Sequence, residues 1–171
     1  PVRGRTRDRD DNLWISTFYN GLVLSRHNSR CYLKWDACKE IQNIKGLTRD
    51  AKGQVYFATD GNGFWISDVV SGTLREVRGT QGYKFQCAWF DEVGGLLWAT
   101  DFRGQVISIN PADGRIRKYQ AGGEDVKKTE NIITIKRIGD ELYLGGIQGL
   151  YIFNPETESQ VTRRVKGLDK R

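Results

Sequence analysis

The sequence has few of the residues that metal sites and catalysis use. It contains one histidine (His27), three cysteines and no methionine. The cysteines form no Cys-x-x-Cys pair, and such pairs supply most structural zinc sites. Nucleophile elbows, phosphate-binding loops and His-Glu-x-x-His motifs are also missing. We therefore expect a protein that is not an enzyme and that holds no metal and no cofactor.

Long apolar runs are missing as well. The uncharged apolar runs are only a few residues long, whereas a membrane-spanning helix needs about 20 residues. No apolar leader precedes the first charged residues, so no signal peptide is recognisable. These absences lead us to expect an excised or processed fragment without a membrane span of its own.

The cysteines leave two alternatives open. Cys31 and Cys38 lie seven residues apart, which would allow a local disulfide in an oxidising compartment. Alternatively these two residues and Cys87 are small buried hydrophobic side chains, as free cysteines commonly are.

What the chain does have is an internal repeat. Residues 4–17 and 46–59 match at an offset of 42 positions, a third copy covers 91–109, and a looser fourth covers 139–153. The positions that we align are Asp8, Asp50 and Asp91; Trp14, Tyr56 and Tyr143; and Thr17, Thr59, Thr100 and Gly146. A period in the low forties indicates one supersecondary unit that must stack on copies of itself to bury its apolar faces.

Each copy consists of short runs of aromatic and β-branched residues separated by glycine-containing turns. No stretch has apolar residues at the three- and four-residue spacing of a helix. About four strands per copy and one aromatic anchor per copy are typical of a β-propeller blade. The sequence therefore predicts an all-β fold of about four four-stranded antiparallel blades. We place the blades at roughly 1–38, 39–80, 81–125 and 126–171, with no second domain.

The string that runs from Asp8 to Leu22, with its Asp-Asn-Leu-Trp-Ile-Ser-Thr core, resembles the two-component regulator propeller repeat. Members of that family are long periplasmic sensor regions joined through a membrane span to a histidine kinase. The resemblance implies a ligand-sensing module on the periplasmic or extracellular side of a bacterial membrane, with a saccharide-like or other polar ligand.

Four blades can be arranged in three ways. The chain could close as a small ring, pair with a second copy into an eight-bladed ring, or form an open arc of a larger propeller. We favour an arc or self-association through exposed blade faces, because an uncovered apolar face favours association.

The net charge of +6 and the isoelectric point near 9.3 raise the question of a polyanionic partner. Arginines at positions 3, 5, 7 and 9 crowd the start of the chain, but Asp8, Asp10 and Asp11 lie among them. We interpret these charges as solvated faces and edge-strand protection, and we do not expect nucleic acid as a partner. A non-catalytic scaffold for protein or polyanion binding is the alternative function, and salt would weaken its binding steeply.

The candidate binding residues lie in the loop between the two strands of the pair that each copy repeats. The position of this loop in the repeat is fixed, but its sequence varies. These residues are Phe18, Tyr19, Asn20, Asp60, Asn62, Asp101, Phe102, Arg103 and Gln148. Aromatic rings offer flat apolar surfaces, and the polar groups beside them fix the orientation of a ligand. The competing interpretation is that these loops are ordinary hairpin turns with exposed side chains.

Overall fold

A computed structural model describes residues 2–19, 21–26, 32–34, 41, 43–68, 73–121, 131–147, 149–157, 160–161 and 163–164. Within these ranges every regular element is a β-strand. The all-β prediction is therefore confirmed. The residues His27, Cys31 and Cys38 and the candidate site residues Asn20 and Gln148 lie outside the described ranges.

The strands form four sheets that follow one another along the chain. Sheet 1 contains β1 (Val2–Arg7), β2 (Leu13–Thr17), β3 (Leu22–Ser25) and β4 (Tyr32–Lys34). Sheet 2 contains β5 (Ile44–Arg49), β6 (Val55–Thr59), β7 (Phe64–Asp68) and β8 (Thr73–Glu76). Sheet 3 contains β9 (Phe85–Asp91), β10 (Leu96–Asp101), β11 (Val106–Ile109) and β12 (Ile116–Ala121). Sheet 4 contains β13 (Ile132–Ile138), β14 (Glu141–Gly146), β15 (Gly149–Phe153) and β17 (Arg163–Arg164).

The remaining strand, β16 (Gln160–Val161), adds a fifth strand to sheet 3. It pairs in parallel with β12, whereas all the other pairs of described strands are antiparallel. The chain thus crosses back to sheet 3 before β17 completes sheet 4.

An aspartate fixes the first hairpin of sheets 1 to 3. In sheet 1 the Asp8 Oδ1 accepts hydrogen bonds from the backbone N–H groups of Asp10 and Asn12, at 3.0 and 2.9 Å. Its Oδ2 accepts from the indole Nε1 of the buried Trp14 at 2.8 Å. One carboxylate therefore closes the turn and also accepts the hydrogen bond of the aromatic anchor. A buried indole N–H group needs such an acceptor. We call this side of the sheets the anchor end.

The same arrangement recurs in the next two sheets. Asp50 accepts from Tyr56 Oη at 3.2 Å, and Asp91 accepts from Trp98 Nε1 at 3.4 Å. Burial and the neighbouring Asp50 carboxylate raise the pKa of the Tyr56 hydroxyl. The hydroxyl therefore stays protonated and can donate.

Pairing confirms most of the repeat frame and corrects one position. The anchors Trp14, Tyr56 and Tyr143 pair with equivalent residues of their innermost strands, as the frame predicts. Thr100 is not equivalent to Thr59, because the turn between β9 and β10 places one more residue between Asp91 and its anchor Trp98. That prediction is wrong.

Asp101 occupies the equivalent position instead. Its N–H donates to the Gln105 carbonyl at 3.1 Å, just as the Thr59 N–H donates to Gly63. The Thr100 hydroxyl faces sheet 4 and donates to the Ile132 carbonyl at 2.7 Å. An insertion in a turn has therefore shifted which side of the sheet each later residue faces.

Apolar cores lie between successive sheets. Trp14, Leu22 and Leu24 of sheet 1 pack with Val55 and Phe57 of sheet 2. The larger members of the core between sheets 2 and 3 are Tyr56, Phe64, Phe85, Leu97 and Ile107. Those of the core between sheets 3 and 4 are Trp98, Tyr119, Leu142, Tyr151 and Phe153. Phe64 and Phe85 meet across the second interface with ring centroids 4.5 Å apart. Each sheet thus buries its apolar faces against its neighbours, as the repeat predicts.

The innermost strands β1, β5, β9 and β13 lie side by side in chain order. Their approach is close at Gly46, where an added β-carbon would lie 2.7 Å from the Ala88 nitrogen. Within the described ranges β13 does not pack against β1 as each of these neighbouring pairs does. Among the described residues the four sheets are therefore a linear succession rather than a closed ring.

Cys87 is a buried thiol of the third interface. Its Sγ lies 3.2 Å from the Thr100 hydroxyl. Burial raises the pKa of this thiol to about 11, although the hydrogen bond with Thr100 acts in the opposite direction. Cys87 therefore behaves as the small hydrophobic residue of the second alternative.

Candidate functional site at the rim

Each innermost strand contains a β-bulge at its first residues. In sheet 1, Val2 pairs with Thr17 and Gly4 with Ser16, so Arg3 is the extra residue. The same register shift occurs in the other three sheets, where the extra residues are Lys45, Gln86 and Ile133. Bulges redirect a side chain and are common at rims and functional sites. We call Arg3, Lys45, Gln86 and Ile133 the bulge row.

The bulge row lies beside the hairpins that the sequence singled out. In each sheet the last residue of the second strand pairs with the start of the innermost strand, and the residue after it is the first of the hairpin. These first hairpin residues are Phe18, Asp60, Phe102 and Ile147. Asp60 donates its N–H to the Asn43 carbonyl, and Ile147 donates to the equivalent Asn131 carbonyl. Bulge and hairpin residues therefore form one rim, at the opposite end of the sheets from the anchor aspartates.

Lys45 connects three of the four sheets at this rim. Its Nζ lies 5.5 Å from the ring centroid of Phe18 and 5.5 Å from that of Phe102. The same Nζ is 3.9 Å from Asp60 Oδ2, and the Lys45 side chain is only 17% exposed. The structure thus brings together Phe18, Asp60 and Phe102, which the sequence could place only in separate loops.

Arg3 and Tyr19 extend this group on the side of sheet 1. The Arg3 guanidinium carbon lies 4.2 Å from the centroid of Phe18, and the Tyr19 ring contacts Phe18 at 4.7 Å. Tyr19 is 82% exposed and Phe102 is 40% exposed. We call Arg3, Phe18, Tyr19, Lys45, Asp60 and Phe102 the rim cluster.

Other candidate residues have local roles. Asp101 Oδ1 accepts hydrogen bonds from the backbone N–H groups of Arg103 and Gln105, both at 2.8 Å, so this carboxylate stabilises its own hairpin. Asn62 is exposed, and its carbonyl accepts from Trp65 Nε1 at 2.8 Å. Arg103 is exposed in the hairpin beside Phe102.

The rim changes character from sheet to sheet. Sheets 1 and 2 contribute the cations Arg3 and Lys45 to the bulge row. Sheet 4 contributes Ile133 and the hairpin residue Ile147, which are 54% and 70% exposed. The rim therefore has a charged side and an apolar side.

Two amide oxygens are enclosed near the rim without a hydrogen-bond donor among the described residues. They are Gln86 Oε1, in the bulge row, and Asn131 Oδ1, just before β13. An enclosed acceptor without a donor costs about 1–3 kcal/mol. A donor from a bound molecule could remove that cost.

Sequence reasoning missed Arg3, Lys45 and Gln86 because a bulge is a shift in pairing, which a single strand does not reveal. A faint signal existed, since Arg3-Gly4 and Lys45-Gly46 are a basic residue followed by glycine at the repeat offset of 42. The third and fourth copies lack that glycine.

No group of three or more histidine, cysteine, aspartate or glutamate side chains suited to a metal ion occurs in the described part of the chain. The described residues also contain no apolar helix long enough to cross a membrane.

Solved structures identify this arrangement of sheets. The extracellular domain of a protein assigned as a hybrid two-component system of B. thetaiotaomicron superimposes with a TM-score of 0.75 at 20% identity, over 99% of this chain and 24% of that one. The Swd1 β-propeller domain of Myceliophteria thermophila gives 0.68 at 16% identity, over 94% of this chain and 53% of that one. A catalytically inactive virginiamycin B lyase of Staphylococcus aureus, crystallised with quinupristin, gives 0.71 at 16%, over 96% and 56%.

The four sheets are β-propeller blades. These likenesses show the fold, and the prediction of propeller blades is confirmed. The chain spans about a quarter to somewhat over half of the length of these three proteins. No protein-family model matches the chain, and no curated protein matches its sequence.

Proposed function

We propose that this chain is a recognition module that binds a polar, saccharide-like ligand at the rim cluster, as part of a sensor that faces the periplasm or the cell exterior. It performs no catalysis. The binding surface consists of exposed aromatic faces of Tyr19 and Phe102 with the polar groups of Lys45 and Asp60 between them.

The observation that carries this proposal is the position of Lys45. A half-buried ion pair with Asp60 and ring contacts with Phe18 and Phe102 hold side chains from three blades in one place. A rim built in this way is pre-organised, so little ordering free energy is lost when a ligand binds. Hairpin turns that only connect strands would not be expected to contact one lysine from three blades.

The fold comparison supports the sensor assignment. One of the similar structures is the extracellular domain of a protein assigned as a hybrid two-component system. Propeller folds also host other functions, so the site rather than the fold carries the ligand proposal.

A binding screen against a set of oligosaccharides tests the proposal. Phe102→Ala and Tyr19→Ala should each weaken binding about tenfold, because each removes a stacking surface worth more than about 1 kcal/mol. Val93→Ala is the matched control, since Val93 is 83% exposed in the turn between β9 and β10 at the anchor end. Binding that ignores both aromatic substitutions would contradict the proposal.

A second function, a scaffold for an acidic macromolecule, is favoured by the pattern on β1. Arg5 and Arg7 alternate along this strand after the bulge and are both exposed, so they share one face, and Arg3 is exposed at the start of the same strand. The probe is a single-stranded DNA oligonucleotide at about 50 and about 300 mM salt, where counterion release predicts a steep loss of affinity. Arg5→Gln with Arg7→Gln should abolish such binding and leave saccharide binding at Phe102 intact.

A further inference from the structure

The charge of the rim constrains the ligand. The ionisable side chains of the rim hairpins, the bulge row and the adjoining Lys84 are Arg3, Lys45, Lys84, Arg103, Asp60 and Asp101. Four are basic and two are acidic. One of the two acids, Asp101, already accepts hydrogen bonds from its own hairpin. The rim therefore offers more positive charge than its own carboxylates offset.

Two of these cations share one aromatic side chain. Arg3 and Lys45 both lie against the ring of Phe18, at 4.2 and 5.5 Å from its centroid. Contact with an aromatic face orients a cation but neutralises none of its charge. Lys45 is in addition paired with Asp60, whose Oδ2 lies 3.9 Å from the Lys45 Nζ. An arginine and a lysine held in this way match a carboxylate, which an arginine can bind with two parallel hydrogen bonds.

On the side of sheets 3 and 4, two acceptors near the rim lack a donor among the described residues. Gln86 follows Lys45 in the bulge row, and the strands that carry them approach closely where Gly46 faces Cys87 and Ala88. Gln86 Oε1 and Asn131 Oδ1 are both enclosed without a donor among the described residues. Gln86 and Asn131 are themselves partly exposed, so each amide can turn towards a molecule at the rim. Hydroxyl groups are donors that would satisfy these oxygens.

We propose that the ligand of this rim is an acidic saccharide, with its carboxylate at Arg3 and Lys45 and its hydroxyls donating to the amide oxygens of Gln86 and Asn131. The inference rests on the proposed function and adds the charge of the ligand to it. Phe102 and Tyr19 contribute the stacking surface for the sugar rings.

The test is calorimetric titration of the full chain with trigalacturonate and with its methyl ester, which keeps the sugar rings and removes the charges. Trigalacturonate should bind about tenfold more tightly than the ester, a difference of about 1.4 kcal/mol, because the ester cannot accept charge-assisted hydrogen bonds from Arg3 and Lys45. Arg3→Gln and Lys45→Gln should each bring the ratio of acid affinity to ester affinity close to one, whatever each substitution does to the affinity for the ester itself. Lys52→Gln is the matched control, because Lys52 is exposed in the turn between β5 and β6 at the anchor end.

The possible results separate the two proposals. Equal affinity for acid and ester, or a preference for the acid that survives both Arg3→Gln and Lys45→Gln, would overturn the inference while leaving saccharide recognition standing. Absence of binding to either compound and to the neutral oligosaccharides of the screen would overturn both. Urea unfolding of each variant shows that a lost preference does not come from a lost fold.

Discussion

At the anchor end, Asp8, Asp50 and Asp91 each close a hairpin and bind an aromatic side chain. At the rim, the equivalent positions of the bulge row hold a guanidinium, an ammonium, an amide and a sec-butyl group. In sheets 1 to 3 the same backbone repeat thus keeps its chemistry at one end and varies it at the other. We infer from this difference that the residues of the anchor end maintain the stacking of the blades, whereas the residues of the rim can vary without loss of the fold.

The largest effect should come from breaking the buried ion pair at the anchor end. Arg137 Nε of sheet 4 lies 2.8 Å from Asp91 Oδ2 of sheet 3, and their side chains are 10% and 1% exposed. Arg137→Ala leaves a buried carboxylate without its cation, so we expect the free energy of unfolding to fall by about 3 kcal/mol. Arg117→Ala, on an exposed position of β12, is the control. Equal losses in urea unfolding would contradict the role of this pair.

The next effect concerns the close approach of the innermost strands. Gly46→Ala places a β-carbon against the backbone of Ala88, so we expect a loss of about 1–3 kcal/mol. Gly4 occupies the same register position in sheet 1, where a β-carbon would meet only the Ser16 hydroxyl, at 3.3 Å. Gly4→Ala should therefore cost clearly less. The opposite order would show that the blades do not stack as described.

A smaller effect should appear with pH. Because burial holds the pKa of the Cys87 thiol at about 11, the unfolded chain loses this proton first, at its ordinary pKa near 8.5–9. The resulting stability is complete below that pKa and is lost as pH rises towards 11. In a Cys31→Ser, Cys38→Ser background, the loss between pH 8 and pH 10 should be about 1.5 kcal/mol greater with Cys87 than with Cys87→Ala. Identical pH profiles would rule out a protonated thiol in the folded core.

The smallest effect on stability should come from the rim. Phe102 is 40% exposed, so Phe102→Ala should change the free energy of unfolding by less than about 0.5 kcal/mol. Its effect on ligand affinity should be about tenfold, as argued above. A large loss of stability would mean that the rim also maintains the fold and would weaken the contrast between the two ends.

Sequence reasoning reached the repeat, the strands and the rim hairpins because glycine-containing turns and aromatic anchors recur visibly. It placed Thr100 one position away from the true equivalent, Asp101, because an extra residue in a turn does not disturb the pattern of apolar residues. The bulge row escaped it because a bulge is a shift in strand pairing. The contacts of Lys45 with Phe18, Asp60 and Phe102 escaped it because they join side chains from three blades. Contacts across blades depend on how the sheets stack, and a single strand carries little information about that.

Hydrogen exchange of the backbone amides, with and without the saccharide that binds most tightly, tests the division between the two ends most directly. We predict that ligand slows exchange in the rim hairpins at 59–63 and 101–105 and leaves the anchor turns at 8–12, 50–54 and 91–96 unchanged. Slower exchange in the anchor turns with unchanged rim hairpins would contradict the account.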